Sequence, residues 1–254
     1  RRQRQMCIRD RNKMIKAILF DIDGTLLDFL QAEKNAIKKV FAKFELGEFS
    51  DDKVQKYSEI NLKHWEMLER GEIGKSEVMH LRFVEFLKFL GRDTSLADEI
   101  NEFYESSVPS TTAYIENADE ICADLATKYD LYCVTNGALK VQTERLKKSG
   151  LDKLFKGIFI SDEIGFEKPS LKFFEPVLKA ANCKKSEIMI IGDSLTSDMK
   201  GGNGVGIKCC YYNPCRIPNT TEIKTDYEIA SLSEIYNVCL LYTSPSPRDA
   251  HESR

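Results

Sequence analysis

The chain reads as an α/β protein: a doubly wound parallel sheet with an all-helical domain inserted after its first strand. Three observations predict this. Apolar runs of strand length alternate with helical patterns beyond Pro109, residues 30–107 show helical spacing only, and 254 residues at 42% hydrophobic content suffice to bury a large core.

Residues 14–20 (MIKAILF) form an apolar run long enough for a strand and too short for a helix. Helices then follow in succession. Ala32, Ala36, Ile37, Val40, Phe41 and Phe44 recur at helical spacing, as do Val54, Tyr57, Ile60, His64, Trp65 and Leu68. A third helix is predicted over 76–90, ended by Gly91, and a fourth over 95–104. Past Pro109 the rhythm changes. A helix over 118–128 leads into the strand LYCVTNG, and a helix over 139–148 ends at Gly150. KGIFISD is a strand, and 169–181 is a helix opened by Pro169, a residue helix starts favour. EIMIIGD is a strand followed by a helix from Thr196; GIKCCYY and TDYEIA are strands; a last helix starts near Ser231. Such alternation implies a parallel sheet covered on both faces.

Both ends fall outside this pattern. Residues 1–13 carry six basic residues and one acidic, without the apolar stretch of a secretory signal, and the last sixteen read CLLYTSPSPRDAHESR. Both tracts resemble in-frame translations of sequencing-adapter DNA. Residues 1–13 and 239–254 are therefore expected to be non-native tails, with a natural start at Met14. Residues 14–29 and 108–238 then make up the sheet domain and 30–107 the helical one.

The formal charge is −3, and −8 once both tails are set aside. A chain that acidic repels phosphate backbones, so no nucleic-acid partner is expected. No stretch approaches the roughly 20 apolar residues of a membrane helix, so no membrane partner is expected either. The six cysteines outside the tails form no C-x-x-C pair and several sit in apolar runs, which fits free thiols in a reducing cytoplasm. Adjacent Cys209 and Cys210 read as strand packing. Three histidines leave little room for a histidine-built metal site.

In open α/β sheets ligands bind beyond the carboxyl ends of the strands, so the residues directly after each apolar run carry the chemistry. The first run ends in Asp21-Ile22-Asp23-Gly24-Thr25, the second in Thr135-Asn136-Gly137, and EIMII in Gly192-Asp193-Ser194 with Asp198 one turn on. Lys168 stands at a helix entrance. Each group serves phosphoryl transfer. Asp21 is placed to act as nucleophile, and Asp23 to protonate the leaving oxygen and later activate water. Adjacent carboxylates repel each other and a phosphate. A hard cation resolves this, which points to Mg2+ on Asp21, Asp23 and Asp193 with Asp198 in support behind them. Thr135 offers a hydroxyl and Asn136 and Gly137 offer N–H groups to phosphate oxygens. Lys168 supplies the compensating cation.

DIDGT, VTNG, EKPS and GDSLTSD, in this order, resemble the four motifs of the haloacid dehalogenase-like phosphohydrolase superfamily, over residues 14–238. The resemblance implies a Rossmann-like core, a mobile helical cap of the C1 type and a Mg2+-dependent phosphoaspartate mechanism. It assigns Asp21 as nucleophile and Asp23 as acid/base, the latter also giving a backbone carbonyl to the metal. Thr135 and Lys168 bind phosphate, and Asp193 is a metal ligand. Dehalogenases of this superfamily lack an acid at the position of Asp23, because halide leaves without a proton; its presence here favours phosphate-ester hydrolysis. IGDSLTSDMKGGNGVGI, SDEIGFEKP and WEMLERGEI further resemble the branch that hydrolyses pyrimidine nucleoside 5′-monophosphates.

A small-molecule phosphate monoester is thus the expected substrate. The alternatives are a sugar-phosphate or phosphoglycolate phosphatase, a phosphomutase, or a non-enzymatic phosphate-sensing or partner-binding protein. The intact acidic set argues against the last. In the helical domain, Trp65 is a candidate for stacking on a base, with Arg70, Arg82 or Asn61 as polar contacts. Alternatively Trp65 and Phe83 pack the helices and Arg70 is solvated. None of Lys53, Lys56, Lys63, Lys75 and Lys88 stands out, and His64 and His80 read as packing or surface residues. Hinges are expected at 27–31 and 108–112.

Overall fold

A computed structural model describes residues 14–240. The first strand, β1 (Ala17–Phe20), is buried at every position, as a strand covered on both faces must be. Four helices follow: α1 (Phe29–Lys43), α2 (Asp51–Glu69), α3 (Lys75–Phe89) and α4 (Ala97–Ser107). The chain then alternates through α5 (Ala118–Ala126), β2 (Asp130–Thr135), α6 (Leu139–Ser149), β3 (Gly157–Ile160), the single turn α7 (Ser161–Ile164), and α8 (Leu171–Ala181). It continues as β4 (Ile188–Gly192), a π-helical turn (Leu195–Met199), α9 (Lys200–Val205), β5 (Lys208–Tyr212), β6 (Tyr227–Ile229) and α10 (Ile235–Leu240).

Among the described residues the strands make one parallel sheet in the order β3-β2-β1-β4-β5-β6. From β1 the chain runs outward one way through β2 and β3, then returns to β4 and runs outward the other way. The switch point therefore lies between β1 and β4, and a crevice opens beyond their carboxyl ends. Asp21 follows β1, Thr135 ends β2 and Asp193 follows β4, so three neighbouring strands deliver their terminal residues to one place.

Side-chain alternation sorts the sheet residues onto two cores. Ile18, Phe20, Ile191 and Cys210 pack with Ile121 and Leu125 of α5. Leu19, Ile190 and Cys209 face the other way, against Phe173, Phe174 and Val177 of α8. Cys209 and Cys210 thus point to opposite faces as buried free thiols. The helical domain has its own core around Tyr57, Phe83, Phe86 and Tyr104, whose neighbouring rings sit 5.1–5.5 Å apart. Phe83 belongs to this packing. His64 is buried with Nδ1 2.8 Å from the Ile60 carbonyl, and exposed His80 pairs with Asp98. The two connections between domains run side by side: Leu27 bridges Tyr114, Asp28 N–H donates to Ala113 O, and Ile115 N–H to Leu26 O.

Several boundaries are corrected. Pro169 precedes its helix: Ser170 N–H closes a turn onto Glu167 O at 2.8 Å, Lys168–Pro169 is a cis peptide, and α8 starts at Leu171. Thr196 lies in the π-helical turn rather than in a regular helix, because Ser194 caps it at Ser197 N–H and holds it tight against β4. Of the tail expected from Cys239 onward, Cys239 and Leu240 lie within the described residues, in α10, and the Cys239 side chain is buried in the core, where a small thiol packs as a hydrophobe. The rest of that tail and residues 1–13 lie outside the described residues.

The turn after β1 depends on Gly24. Its φ is +80°, and a Cβ there would fall 2.2 Å from Asp193 Oδ2. Gly24→Ala is expected to lower the melting temperature and to cost activity by pushing Asp193 out of place, as thermal melting and a phosphatase assay will read. An unchanged melting temperature and rate would show that the turn tolerates a side chain.

Candidate active site

The crevice is organised around one buried ammonium. Lys168 is 1% exposed, and its Nζ donates to Asp21 Oδ1 at 2.6 Å, Asp198 Oδ1 at 2.7 Å and Val134 O at 2.9 Å. All three hydrogens are thereby used. Its backbone is pinned by Asn136, whose Oδ1 accepts from Lys168 N at 2.8 Å and whose Nδ2 donates to Lys168 O at 2.9 Å. Burial works against the ammonium charge, but Asp198 and Asp21 outweigh it and hold its pKa above the ordinary lysine range.

Asp21, Asp193 and Asp198 present carboxylate oxygens within 4.8 Å of one another. Asp21 and Asp198 are buried, while Asp193 opens on the crevice. Desolvation raises Asp21 well above the usual carboxylate range; Lys168 pulls it back only partly, and Asp198 and Asp193 add to the rise. Desolvation and the neighbouring Asp198 push Asp193 up to about 7. Three carboxylates against one ammonium leave a formal surplus of two negative charges. An oxygen-only set with that surplus suits a hard divalent cation, and Mg2+ is the cofactor that fits. Asp198, the residue expected in support behind the site, has its Oδ1 on Lys168 Nζ and brings a carboxylate oxygen within 4.8 Å of those of Asp21 and Asp193. It is held there because Ser194 N–H donates to its Oδ2 at 3.2 Å, and a Cβ on Gly192 would collide with that same oxygen.

The Asp23 carboxylate does not join the trio. It is turned toward α6, where Gln142 Nε2 donates at 2.7 Å and Arg145 Nη1 makes a close ion pair. Thr135 Oγ1, buried at the end of β2, accepts from Gln142 Nε2 at 2.7 Å and from Gly137 N–H at 3.2 Å. The Gly137 amide expected to face a phosphate is thus engaged within its own loop. Sequence reasoning missed Gln142 and Arg145. Their spacing of three on α6, on the side where buried Leu146 also lies, is the signal that would have placed them inward.

The helical domain closes over the crevice at two points. Lys75 Nζ donates to Asn136 O at 2.8 Å, Gly137 O at 3.1 Å and Ser161 Oγ at 3.0 Å, and pairs with Asp162. The Thr196 hydroxyl donates to Glu69. Lys75 therefore stands out among the lysines of this domain. Between the two domains lies a cavity of about 810 Å³. Trp65, Asn61 and Arg82 line it from above, and the acidic trio from below. Arg70 does not line it. It is exposed and paired with Glu72 and Glu66, because it caps the outer end of α2. Sequence reasoning also missed Glu33, fully buried at the cavity wall, which accepts from Asn61 Nδ2 at 2.9 Å and from Ser58. Asn61 in turn accepts from Arg82 Nη1 at 3.1 Å. Burial raises the Glu33 pKa, against the pull of its hydrogen-bond donors.

A parallel sheet with an inserted helical cap, and an acidic trio and buried lysine at its switch point, define a phosphoryl-transfer hydrolase fold. Residues 18–212 match the haloacid dehalogenase-like hydrolase family, and the chain belongs to it. It is 37% identical to the HAD-hydrolase YfnB of Bacillus subtilis, over 89% of this chain and 96% of that protein. It is 34% identical to the pyrimidine 5′-nucleotidase PynA of Streptococcus pneumoniae, over 89% and 94%. A glyceraldehyde 3-phosphate phosphatase of Methanothermobacter thermautotrophicus is 26% identical over 79% and 86%. The crystal structure of YfnB bound to magnesium superposes with a TM-score of 0.84 at 35% identity, covering 89% of this chain and 99% of that one.

The raised carboxylates set a pH dependence. An acid whose pKa is higher in the folded state stabilises the fold below its unfolded value, and that contribution is lost as pH rises through the folded value. Metal-free protein should therefore lose stability between about pH 4 and pH 7, the Asp193 range. Mg2+ should raise the melting temperature more at pH 8 than at pH 5. Asp193→Asn should raise the metal-free melting temperature by a few degrees and shrink the Mg2+ response. Differential scanning fluorimetry checks both, and a Mg2+ response independent of pH would exclude the trio as the binding site.

Proposed function

We propose that the chain hydrolyses phosphate monoesters through an aspartyl-phosphate on Asp21, with pyrimidine nucleoside 5′-monophosphates as its substrates in the cytoplasm. The observation that carries the reaction class is the meeting of Asp21, Lys168, Asp193, Asp198 and Thr135 at one strand edge. When bound, Mg2+ would be held by Asp21, Asp193 and the Asp23 backbone carbonyl with Asp198 in support, and would offset charge on the phosphate and its carboxylate neighbours. Lys168 holds Asp21 in place and pulls it part of the way back toward the ionised form that attacks. The Asp21 oxygen bonds to phosphorus as the ester P–O bond breaks, and Asp23 gives its proton to the departing oxygen. Asp23, now a carboxylate, takes a proton from water as the water oxygen attacks phosphorus. Phosphate leaves and Asp21 is regenerated. The Thr135 hydroxyl and the Asn136 amide hold phosphate oxygens, and the cap, moving about its paired connections, keeps bulk water out while the intermediate stands.

The nucleotide reading draws on 34% identity to PynA and on the cavity wall. Trp65 offers a flat face for a base, and the Asn61–Arg82 pair offers an edge of donors and acceptors. A sugar phosphate is the second reading, favoured by the likeness to the glyceraldehyde 3-phosphate phosphatase. A cavity of about 810 Å³ exceeds what a triose phosphate fills, which favours the nucleotide.

Phosphate release from a panel of nucleotides and sugar phosphates, with Mg2+ and with a chelator, separates the two readings. Uridine and thymidine 5′-monophosphates should lead, and chelation should stop turnover reversibly. A panel led by triose or glycolate phosphates would overturn the nucleotide reading. Asp21→Asn should lose activity by several orders of magnitude while staying folded, and near-parental rates in that variant would exclude the covalent route.

A further inference from the structure

The Asp23 carboxylate, set apart from the metal-binding trio, is held by two buried side chains of α6. We propose that Gln142 and Arg145 are positioning residues that clamp the acid/base Asp23 and the phosphate-binding Thr135 into one unit. This rests on the reading of Asp23 given above. The two residues lie three apart on one face of α6, and both are at most 1% exposed. The Gln142 amide nitrogen has two hydrogens and gives one to Asp23 Oδ2 and one to Thr135 Oγ1, each at 2.7 Å. Arg145 Nη1 donates to Asp23 Oδ1 and, at 3.2 Å, to Gln142 Oε1, which orients the amide.

Two consequences follow. Thr135 Oγ1 already accepts from Gln142 and from Gly137 N–H, so its own hydrogen is left to point at a phosphate oxygen. Asp23 has one donor on each oxygen, which fixes the plane of the carboxylate.

A structural role alone explains the arginine poorly. Its Nε and Nη2 are buried without a hydrogen-bond partner, and its Cζ lies 5.7 Å from the Phe29 ring centroid. Burying a cation with two unmet donors costs stability, which a methionine in the same space would recover. A charge retained against the stability of the fold, with its one ion pair among the described residues made to Asp23, has the mark of a functional constraint.

The test compares Arg145→Met and Gln142→Glu with Asp23→Asn. On an alkyl ester (uridine 5′-monophosphate, or glycerol phosphate if the parent prefers it) Arg145→Met should lower kcat about 10- to 100-fold with KM little changed. That falls short of the roughly 10²–10⁴ that acid–base catalysis contributes. Its melting temperature should be no lower than the parent's. With p-nitrophenyl phosphate, whose leaving group departs without a proton, the first-turnover burst of p-nitrophenolate should stay near the parental rate. Arg145→Met added to Asp23→Asn should cause no further loss, and Arg145→Lys should recover part of kcat. Gln142→Glu, nearly isosteric, should slow both substrates, because Thr135 loses its donor as well. If Arg145→Met and Gln142→Glu turn over at parental rates while Asp23→Asn is inactive, the clamp is refuted and the acid/base reading stands. Equal losses on both esters from Arg145→Met, with a lowered melting temperature, would reduce it to a structural residue. Parental rates in Asp23→Asn would remove the acid/base reading and the clamp with it.

Discussion

One ammonium group buried between carboxylates is the constraint on which the site depends. Without Lys168, Asp21 and Asp198 would be like charges at close range in a place water barely reaches. With it, each carboxylate has a cationic partner, at 2.6 and 2.7 Å, and the surplus that remains matches a divalent cation. The lysine cannot settle there by itself. The turn of residues 167–170 aims it, Asn136 fixes its backbone on both sides, and the carbonyl ending β2 takes its third hydrogen. The residues beyond β1, β2 and β4 are therefore interlocked: moving any of the three loops breaks contacts made by the other two.

The cap is tied to the same loops. Lys75 rests on the carbonyls of Asn136 and Gly137, so the segment that pins Lys168 on one side receives the cap on the other. Glu69, at the end of the helix before it, meets Thr196 in the turn that carries Asp198. Closure and the arrangement of charge are thus mechanically connected through short loops, while side chains of α1–α4, Glu69 among them, shape the cavity above. This division of labour lets the reaction stay constant while the cap sets which leaving group fits.

Much of this was legible in the sequence for a physical reason. Strand-length apolar runs mark where a parallel sheet ends, and polar residues just past them converge on one edge. Asp21, Thr135 and Asp193 were read in that way, and Lys168 from its place just before Pro169. What escaped notice depends on helical phase and on packing between domains. Gln142 and Arg145 looked like ordinary polar positions in a charged helix, and only its docking on the sheet turns them inward. Arg70 and Arg82 both sit on cap helices; the first points outward at a helix end and the second inward among Asn61 and Asn101, a choice made by helix–helix contacts.

The most direct measurement is a crystal structure grown with Mg2+ and trifluoroberyllate, a mimic of a phosphoryl group bonded to a carboxylate. The expected density is an adduct on the Asp21 carboxylate, a cation against Asp193, and the Thr135 hydroxyl and Lys168 ammonium facing the fluorides. An adduct bound elsewhere, or a cation held away from the acidic trio, would contradict the phosphoaspartate route.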